Sequence, residues 1–331
     1  MTRSTAVTLD AVMGDSWVAV ACWEILPAEQ TCSLTPQLHR TKHACSKYRT
    51  FVLDSEIVES YDSCNRFLET ASVPYGQDIT VDQRATGACW ITIDRAQKHN
   101  ALARSVLADL ATAVREAGTR AGTRLVVLSG AGERFFAAGG DLLDLASVRD
   151  EAATLAMTDQ ARGALDAIRD CPLPVLALLN GDAIGGGAEL ALACDMRLQS
   201  SHARIGFIQA RLAITSAWGG GPDLCRLVGG ARAMRMMSRC ELVDAPTALA
   251  WGLADAVIGD GPAGNDMQAF LEPMLACAPQ VLRGIKAQTL AWRRGETYEA
   301  SRAIEQRQVL QTWLHDDHWR ASEKLLSKGK R

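Results

Sequence analysis

Two glycine-rich turns carry the residues best suited to chemistry. The first runs Arg134-Phe-Phe-Ala-Ala-Gly-Gly-Asp141, after an apolar run that ends at Ser129 and a polar Gly-Ala-Gly-Glu loop. The second runs Asn180-Gly-Asp-Ala-Ile-Gly-Gly-Gly-Ala-Glu-Leu-Ala-Leu-Ala-Cys-Asp195 and holds Glu189 in an otherwise apolar turn. Small residues let a backbone approach a ligand closely. The amides of Gly140 and Asp141 are expected at a helix start, where unpaired N–H groups attract negative charge. Three successive glycines lose much backbone entropy on folding, so this loop is expected to need unusual dihedrals or close approach. One N–H from each turn could form an oxyanion hole, a device that suits chemistry through a thioester enolate. Plainer readings stand beside these: an ordinary tight turn, and for Glu189 a helix-start carboxylate held by the dipole. Neither turn is a nucleotide-phosphate fingerprint. Gly130-Ala-Gly132 lacks the third glycine at the required offset, and no Gly-Lys-Ser/Thr follows a glycine loop.

The elements that must position these turns are legible in part. Ala88 to Ile93 alternates like a strand, while Leu125 to Ser129 and Val175 to Leu179 read as buried strands. Ser105 to Ala117 has apolar residues at helical spacing, with Gly118 expected to stop it, and Thr154 to Asp170 reads as a second helix. Met196 to Leu198 and Arg204 to Phe207 read as short strands. After Pro222 the pattern reads as wholly helical. Strands alternating with helices, followed by helices, predict an α/β domain with a helical C-terminal lobe from about residue 222. Order is expected to begin near Gly87. Residues 1–75 show no sustained period and are expected to be a poorly ordered extension.

Composition narrows the functional classes. The 331 residues are 48% hydrophobic and 22% charged, with a net charge of −3, which fits an ordinary globular chain rather than a disordered or strongly basic one. No Lys/Arg-rich helix points to nucleic acid, and no apolar run approaches the ~20 residues of a membrane span. Ten cysteines include no C-x-x-C pair, so they read as reduced thiols rather than metal ligands, and no metal site is expected. Cys22, Cys32, Cys45 and Cys64 fall in the extension. The stretch Gln30 to Leu53 lacks Asp and Glu and carries Arg40, Lys42, Lys47 and Arg49, a composition like that of organelle-import segments, although internal. A cytoplasmic location is expected, with mitochondrial import as the alternative.

Phe136-Ala-Ala-Gly-Gly-Asp141 and Gly185-Gly-Gly-Ala-Glu-Leu-Ala191 stand about 45 residues apart, and together they resemble the crotonase (enoyl-CoA hydratase/isomerase) superfamily. Asp94-Arg95, His99 to Leu102, Pro172 to Val175 and Ala250 to Ala256 add to the likeness, which spans about residues 75–331. The resemblance implies a crotonase-like spiral of ββα units, acyl-CoA thioesters as ligands, and assembly as a homotrimer or hexamer. It implies oxyanion donors at the N–H groups of Gly140 and Gly186. It also implies substrate contacts at Lys98, Asn100, Ala101 and Leu102 along the adenine and pantetheine, and at Ala138, Asp141, Trp218 and Gly219. Coenzyme A enters as part of the substrate, and no other cofactor is implied.

Hydratases of this superfamily use two glutamates on water. Glu189 matches the first, but Gln209 occupies the second position, and an amide is no base near neutral pH. Arg204 to Gly221, with Ala217-Trp218-Gly219-Gly220, is most similar to the ethylmalonyl-CoA decarboxylase branch; Phe67-Leu68, Tyr75-Gly76, Ala278 to Lys286 and Glu305 to Trp313 add to this. A decarboxylase must hold a substrate carboxylate near Cα. A second glutamate ~4 Å away would oppose it by about 4 kcal/mol at an effective dielectric of 20. Gln209 is neutral and can donate a hydrogen bond, and Trp218 offers an apolar wall. The expected reaction is loss of CO₂ from a short 2-alkylmalonyl-CoA, such as ethylmalonyl- or methylmalonyl-CoA. Glu189 or a bound water would return the proton. Other readings stay open: a single-glutamate hydratase or isomerase, or a catalytically silent acyl-CoA-binding protein. The plainer alternatives are a solvent-exposed loop residue for Gln209 and core packing for Trp218.

Overall fold

A computed structural model describes residues 75–259 and 264–328 of the chain. The expected extension and its four cysteines lie outside the described residues, apart from Tyr75.

Among the described residues, ten strands form two sheets. The larger has the order β1-β2-β3-β5-β7-β10, from β1 (Ile79–Gln83), β2 (Ala88–Ile93), β3 (Leu125–Gly130), β5 (Val175–Leu179), β7 (Met196–Ser200) and β10 (Ala256–Ile258). β1 and β2 pair antiparallel and the other neighbours pair parallel. The smaller sheet has the order β4-β6-β8-β9, from β4 (Phe135–Ala137), β6 (Asp182–Ile184), β8 (Arg204–Gly206) and β9 (Leu242–Asp244). The chain passes from the larger sheet to the smaller three times, at β3–β4, β5–β6 and β7–β8. Helix α2 (Glu151–Arg169) follows the first crossing and α3 (Gly186–Ala193) the second. This is the expected spiral of ββα units.

All six residues of β3 are buried, as a strand covered on both faces requires, so it reads as a continuous apolar run. Helix α1 (Arg104–Thr119) buries Val106, Leu107, Leu110, Ala111, Ala113, Val114 and Ala117 along one face. Gly118 does not stop it. A Cβ there would lie 3.0 Å from Pro172 Cδ, so the glycine lets α1 pack against the turn before β5. Helix α2 begins three residues before the expected start, because Asp150 caps it by accepting from Ala153 N–H.

Order begins before Gly87, with β1. The C-terminal part is not wholly helical either. α4 (Gly220–Val228), α5 (Gly230–Arg239), α6 (Ala245–Trp251), α7 (Gly264–Leu275), α8 (Pro279–Arg294), α9 (Tyr298–Trp313) and α10 (Asp316–Lys328) are joined there by β9 and β10. Each of those strands has three residues and closes a sheet edge, β9 on β8 and β10 on β7. Three residues are too few to show a period of two.

Among the described residues, no helix is long and apolar enough to cross a membrane.

Candidate active site

The two glycine turns end beside each other. Leu102 makes a parallel bridge to Gly140: its N–H donates to Gly139 O at 2.8 Å and its carbonyl accepts from Asp141 N at 3.1 Å. The Asp141 amide is therefore engaged, and the expected pair of free amides at a helix start reduces to one. The next helical turn begins only at Asp144. Gly140 N–H, between those two bonds, has no acceptor among the described residues.

Gly186, the second of the expected donors, is the first residue of α3, where an N–H has no intrahelical partner. Its glycine neighbours each answer a separate constraint. Gly185 sits at φ 57°, ψ −119°, which side-chain-bearing residues avoid. A Cβ on Gly187 would lie 2.0 Å from Ala137 O, the last residue of β4. Across the gap Gly139, at φ +96°, leaves room for the Gly186 amide: a Cβ there would sit 3.3 Å from Gly186 N.

Helix α3 is buried along its whole length, and Glu189 is 2% exposed. Its carboxylate does not cap its own helix. Oε1 accepts from Trp218 N–H at 2.9 Å and from Gly220 N–H at 3.1 Å, and Oε2 accepts from the Gln209 side-chain amide at 3.1 Å. The plain helix-dipole reading is thus insufficient. Burial pushes the Glu189 carboxyl above its ordinary range, opposed by those three N–H donors and by the Arg169 charge. Gln209 is half-buried and joins Glu189, so it is not a free loop residue.

Trp218-Gly219-Gly220 forms a strap over this site. A Cβ on Gly220 would lie 2.4 Å from Glu189 Cγ, so only glycine lets the strap reach the carboxylate. The six-membered ring of Trp218 lies over both glycine turns. A Cβ on Gly186 would be 2.3 Å from its Cζ3, and one on Gly140 would be 3.6 Å from its Cη2. Trp218 packs in the core and meets the site as well.

The strap is held from behind by charge. Arg169, at the end of α2, donates to Trp218 O at 3.3 Å and to Asp223 Oδ2 at 3.0 Å. Arg293 of α8 donates to the same Asp223 oxygen at 2.8 Å and to the carbonyls of Leu192 and Ala193 at the end of α3. Sequence reasoning missed this cluster, since its members are 54 and 70 residues from Asp223 along the chain.

The Lys98–Leu102 loop borders the first turn. Lys98 is exposed and Ala101 half-exposed. Asn100 is fully buried, with Oδ1 accepting from Arg95 N–H and Nδ2 donating to Ala131 O and Phe135 O. Leu102 is 1% exposed. These two side chains are turned into the protein, where they shape the loop from within. Ala138 is half-exposed and bonded to His99 O. Asp141 is half-buried, where burial alone would raise its carboxyl; the Asp144 and Leu143 N–H groups and the Arg95 guanidinium together hold it below its ordinary value. Gly219 is half-buried beside Arg169.

A cavity of about 650 Å³ lies apart from this site, lined in part by Leu192, Met196, Met274, Ile285 and Trp292. It includes none of Gly140, Gly186, Glu189, Gln209 or Trp218. A second, of about 380 Å³, reaches Gly219 from the Arg169 side of the strap. Among the described residues no cluster of His, Cys, Asp and Glu could hold a metal ion.

Comparison with known proteins agrees with this geometry. The chain is 29% identical to the ethylmalonyl-CoA decarboxylase of Rattus norvegicus over 240 residues, covering 72% of this chain and 79% of that one. It is 31% identical to the short-chain-enoyl-CoA hydratase of Clostridium acetobutylicum over 198 residues, 58% of this chain and 74% of that one. The crystal structure of an enoyl-CoA hydratase from Bacillus anthracis superposes with a TM-score of 0.71 at 28% identity, over 76% of this chain and 97% of that one. The enoyl-CoA hydratase/isomerase family profile matches residues 83–330. With the profile spanning most of its length and the spiral fold in place, the chain belongs to the enoyl-CoA hydratase/isomerase family.

Proposed function

We propose that the chain is an acyl-CoA decarboxylase that releases CO₂ from a short 2-alkylmalonyl-CoA. The observation that carries this reading is the Gln209 amide 3.1 Å from Glu189 Oε2, at the place where a hydratase would keep its second carboxylate. The thioester oxygen accepts from Gly140 and Gly186 N–H. The substrate carboxylate lies on the Gln209 side, where no second glutamate repels it. The bond from Cα to the carboxylate breaks, its electron pair forms the enolate, and CO₂ leaves. The two N–H groups stabilise the negative charge that develops on the thioester oxygen, a contribution typically worth about 3–4 kcal/mol per donor. A proton then adds to Cα and yields the saturated acyl-CoA.

Glu189 is the proton donor in this scheme. Burial favours its neutral form, which both avoids repelling the substrate carboxylate and supplies a proton. Atoms and charge balance with one proton taken up per CO₂ released, and coenzyme A takes part only as the substrate's handle. Running the reaction in heavy water tests the scheme. One deuterium at Cα of the product for each CO₂ is expected; a substrate recovered intact with no CO₂ overturns it.

A second reading is a hydratase that works with Glu189 alone. It is favoured by the burial of that carboxylate and by relatives named as hydratases. It requires water to add to crotonyl-CoA, and Glu189→Gln to abolish that addition.

We also propose a homotrimer or hexamer. Support comes from Trp292, Tyr298, Leu310 and Trp313, which are exposed on α8 and α9. Light scattering that gives the monomer mass at micromolar concentration overturns it.

A further inference from the structure

We propose that the indole of Trp218 sets the upper limit on the alkyl group carried at the thioester Cα and so confines the chain to short acyl groups. The inference rests on Gly140 and Gly186 being the oxyanion donors. It does not depend on whether the reaction is decarboxylation or hydration.

The benzene edge of the indole runs across both glycines. A Cβ on Gly186 would lie 2.3 Å from Cζ3 and 2.7 Å from Cη2. A Cβ on Gly140 would lie 3.6 Å from Cη2 and 3.7 Å from Cζ2. A thioester oxygen bonded to both N–H groups must sit between these residues. Its carbonyl carbon and Cα follow within about 2.4 Å by ordinary bond lengths and angles. A chain growing from that Cα therefore meets the ring edge after few atoms. Leu145 Cδ1 crowds Gly140 as well, 3.0 Å from where the same Cβ would lie.

The ring cannot swing aside cheaply. Its residue is 6% exposed and packed in the core cluster, so rotation of the side chain needs space that a close-packed interior does not offer. The backbone is held as well, its N–H bonded to Glu189 and its carbonyl to Arg169, and shifting it would leave Glu189 Oε1 with one donor in a buried site. A fixed hydrocarbon wall discriminates by size, and one methylene in such a pocket changes selection by roughly 10-fold or more.

The test uses saturated acyl-CoAs, which neither lose CO₂ nor add water. Butyryl-, hexanoyl- and octanoyl-CoA are titrated calorimetrically into the full chain, for wild type, Trp218→Phe and Trp218→Leu. Wild type should lose about 10-fold or more in affinity between butyryl- and hexanoyl-CoA. Trp218→Leu should bring the three ligands within a few-fold of each other. Trp218→Phe, which keeps an aromatic core residue, should shift the profile the same way by less. A Trp218→Phe profile that superposes on wild type overturns the proposal even if the leucine variant does not fold. Wild type that binds octanoyl-CoA as tightly as butyryl-CoA also overturns it. A shifted profile in a chain that releases no CO₂ from any substrate supports the Trp218 assignment and removes the decarboxylase reading alone.

Discussion

Replacing Gln209 by glutamate restores the second carboxylate and inverts the electrostatics of the site. The amide nitrogen lies 3.1 Å from Glu189 Oε2, so Gln209→Glu places an oxygen at that distance. Two full charges there repel by about 5 kcal/mol at an effective dielectric of 20. The pair will instead share a proton and titrate as a coupled unit. Its folded pKa is raised, so the native state binds more protons than the unfolded chain above the ordinary carboxyl range. Stability is then fully present at acid pH and falls as pH rises, by about 1.4 kcal/mol per unit within the window. A substrate carboxylate ~4 Å from the new charge is opposed by about 4 kcal/mol, or roughly a thousandfold in kcat/KM. The assay follows CO₂ release from ethylmalonyl-CoA and water addition to crotonyl-CoA across pH, alongside urea melts. Decarboxylation should fall, increasingly with pH, while hydration appears. A variant that decarboxylates within about threefold of wild type at pH 8, with an unchanged melt, would refute the reasoning that neutrality at position 209 matters.

Glu189→Gln keeps an oxygen for Trp218 and Gly220 N–H, and a flipped Gln209 amide can meet its new NH₂. Because burial raises the folded pKa of Glu189, wild-type stability should decline relative to this variant as pH rises from the ordinary carboxyl range toward the raised value. Paired urea melts check the sign, and turnover should fall by about 10²–10⁴-fold with loss of the proton donor. Gly140→Pro removes an oxyanion N–H and should lower kcat by about 10²–10³-fold, measured with circular dichroism to establish that the variant is folded. Asp223→Ala leaves the Arg169 and Arg293 guanidinium groups without their shared carboxylate, whose side chain is 8% exposed. A loss of about 3–5 kcal/mol is expected in chemical denaturation, and Asp223→Asn should lose less.

The chain reveals its long apolar strands and its two glycine turns because both are local signals. β2, β3 and β5 stand where alternation or continuous burial placed them. β4, β6 and β9 have three residues each and exist through pairing with distant strands, which no local period can show. Gly118 looked like a helix stop because its packing partner, Pro172, is 54 residues away. The same contrast holds at the site. Gly140, Gly186, Glu189, Gln209 and Trp218 come together as the motifs implied. Asn100 and Leu102 share the motif, but that their buried side chains hold the loop from within shows only in the fold. The Arg169–Asp223–Arg293 cluster carried no signal, because three ordinary charged residues from three helices become a unit only on folding.

One experiment separates the two chemistries without any variant. The purified chain is given ethylmalonyl-CoA and crotonyl-CoA together, and mass spectrometry follows both over time. With Gln209 beside Glu189, ethylmalonyl-CoA should lose CO₂ and become butyryl-CoA while crotonyl-CoA stays unhydrated. Crotonyl-CoA that gains water while ethylmalonyl-CoA remains intact would contradict the decarboxylase reading outright.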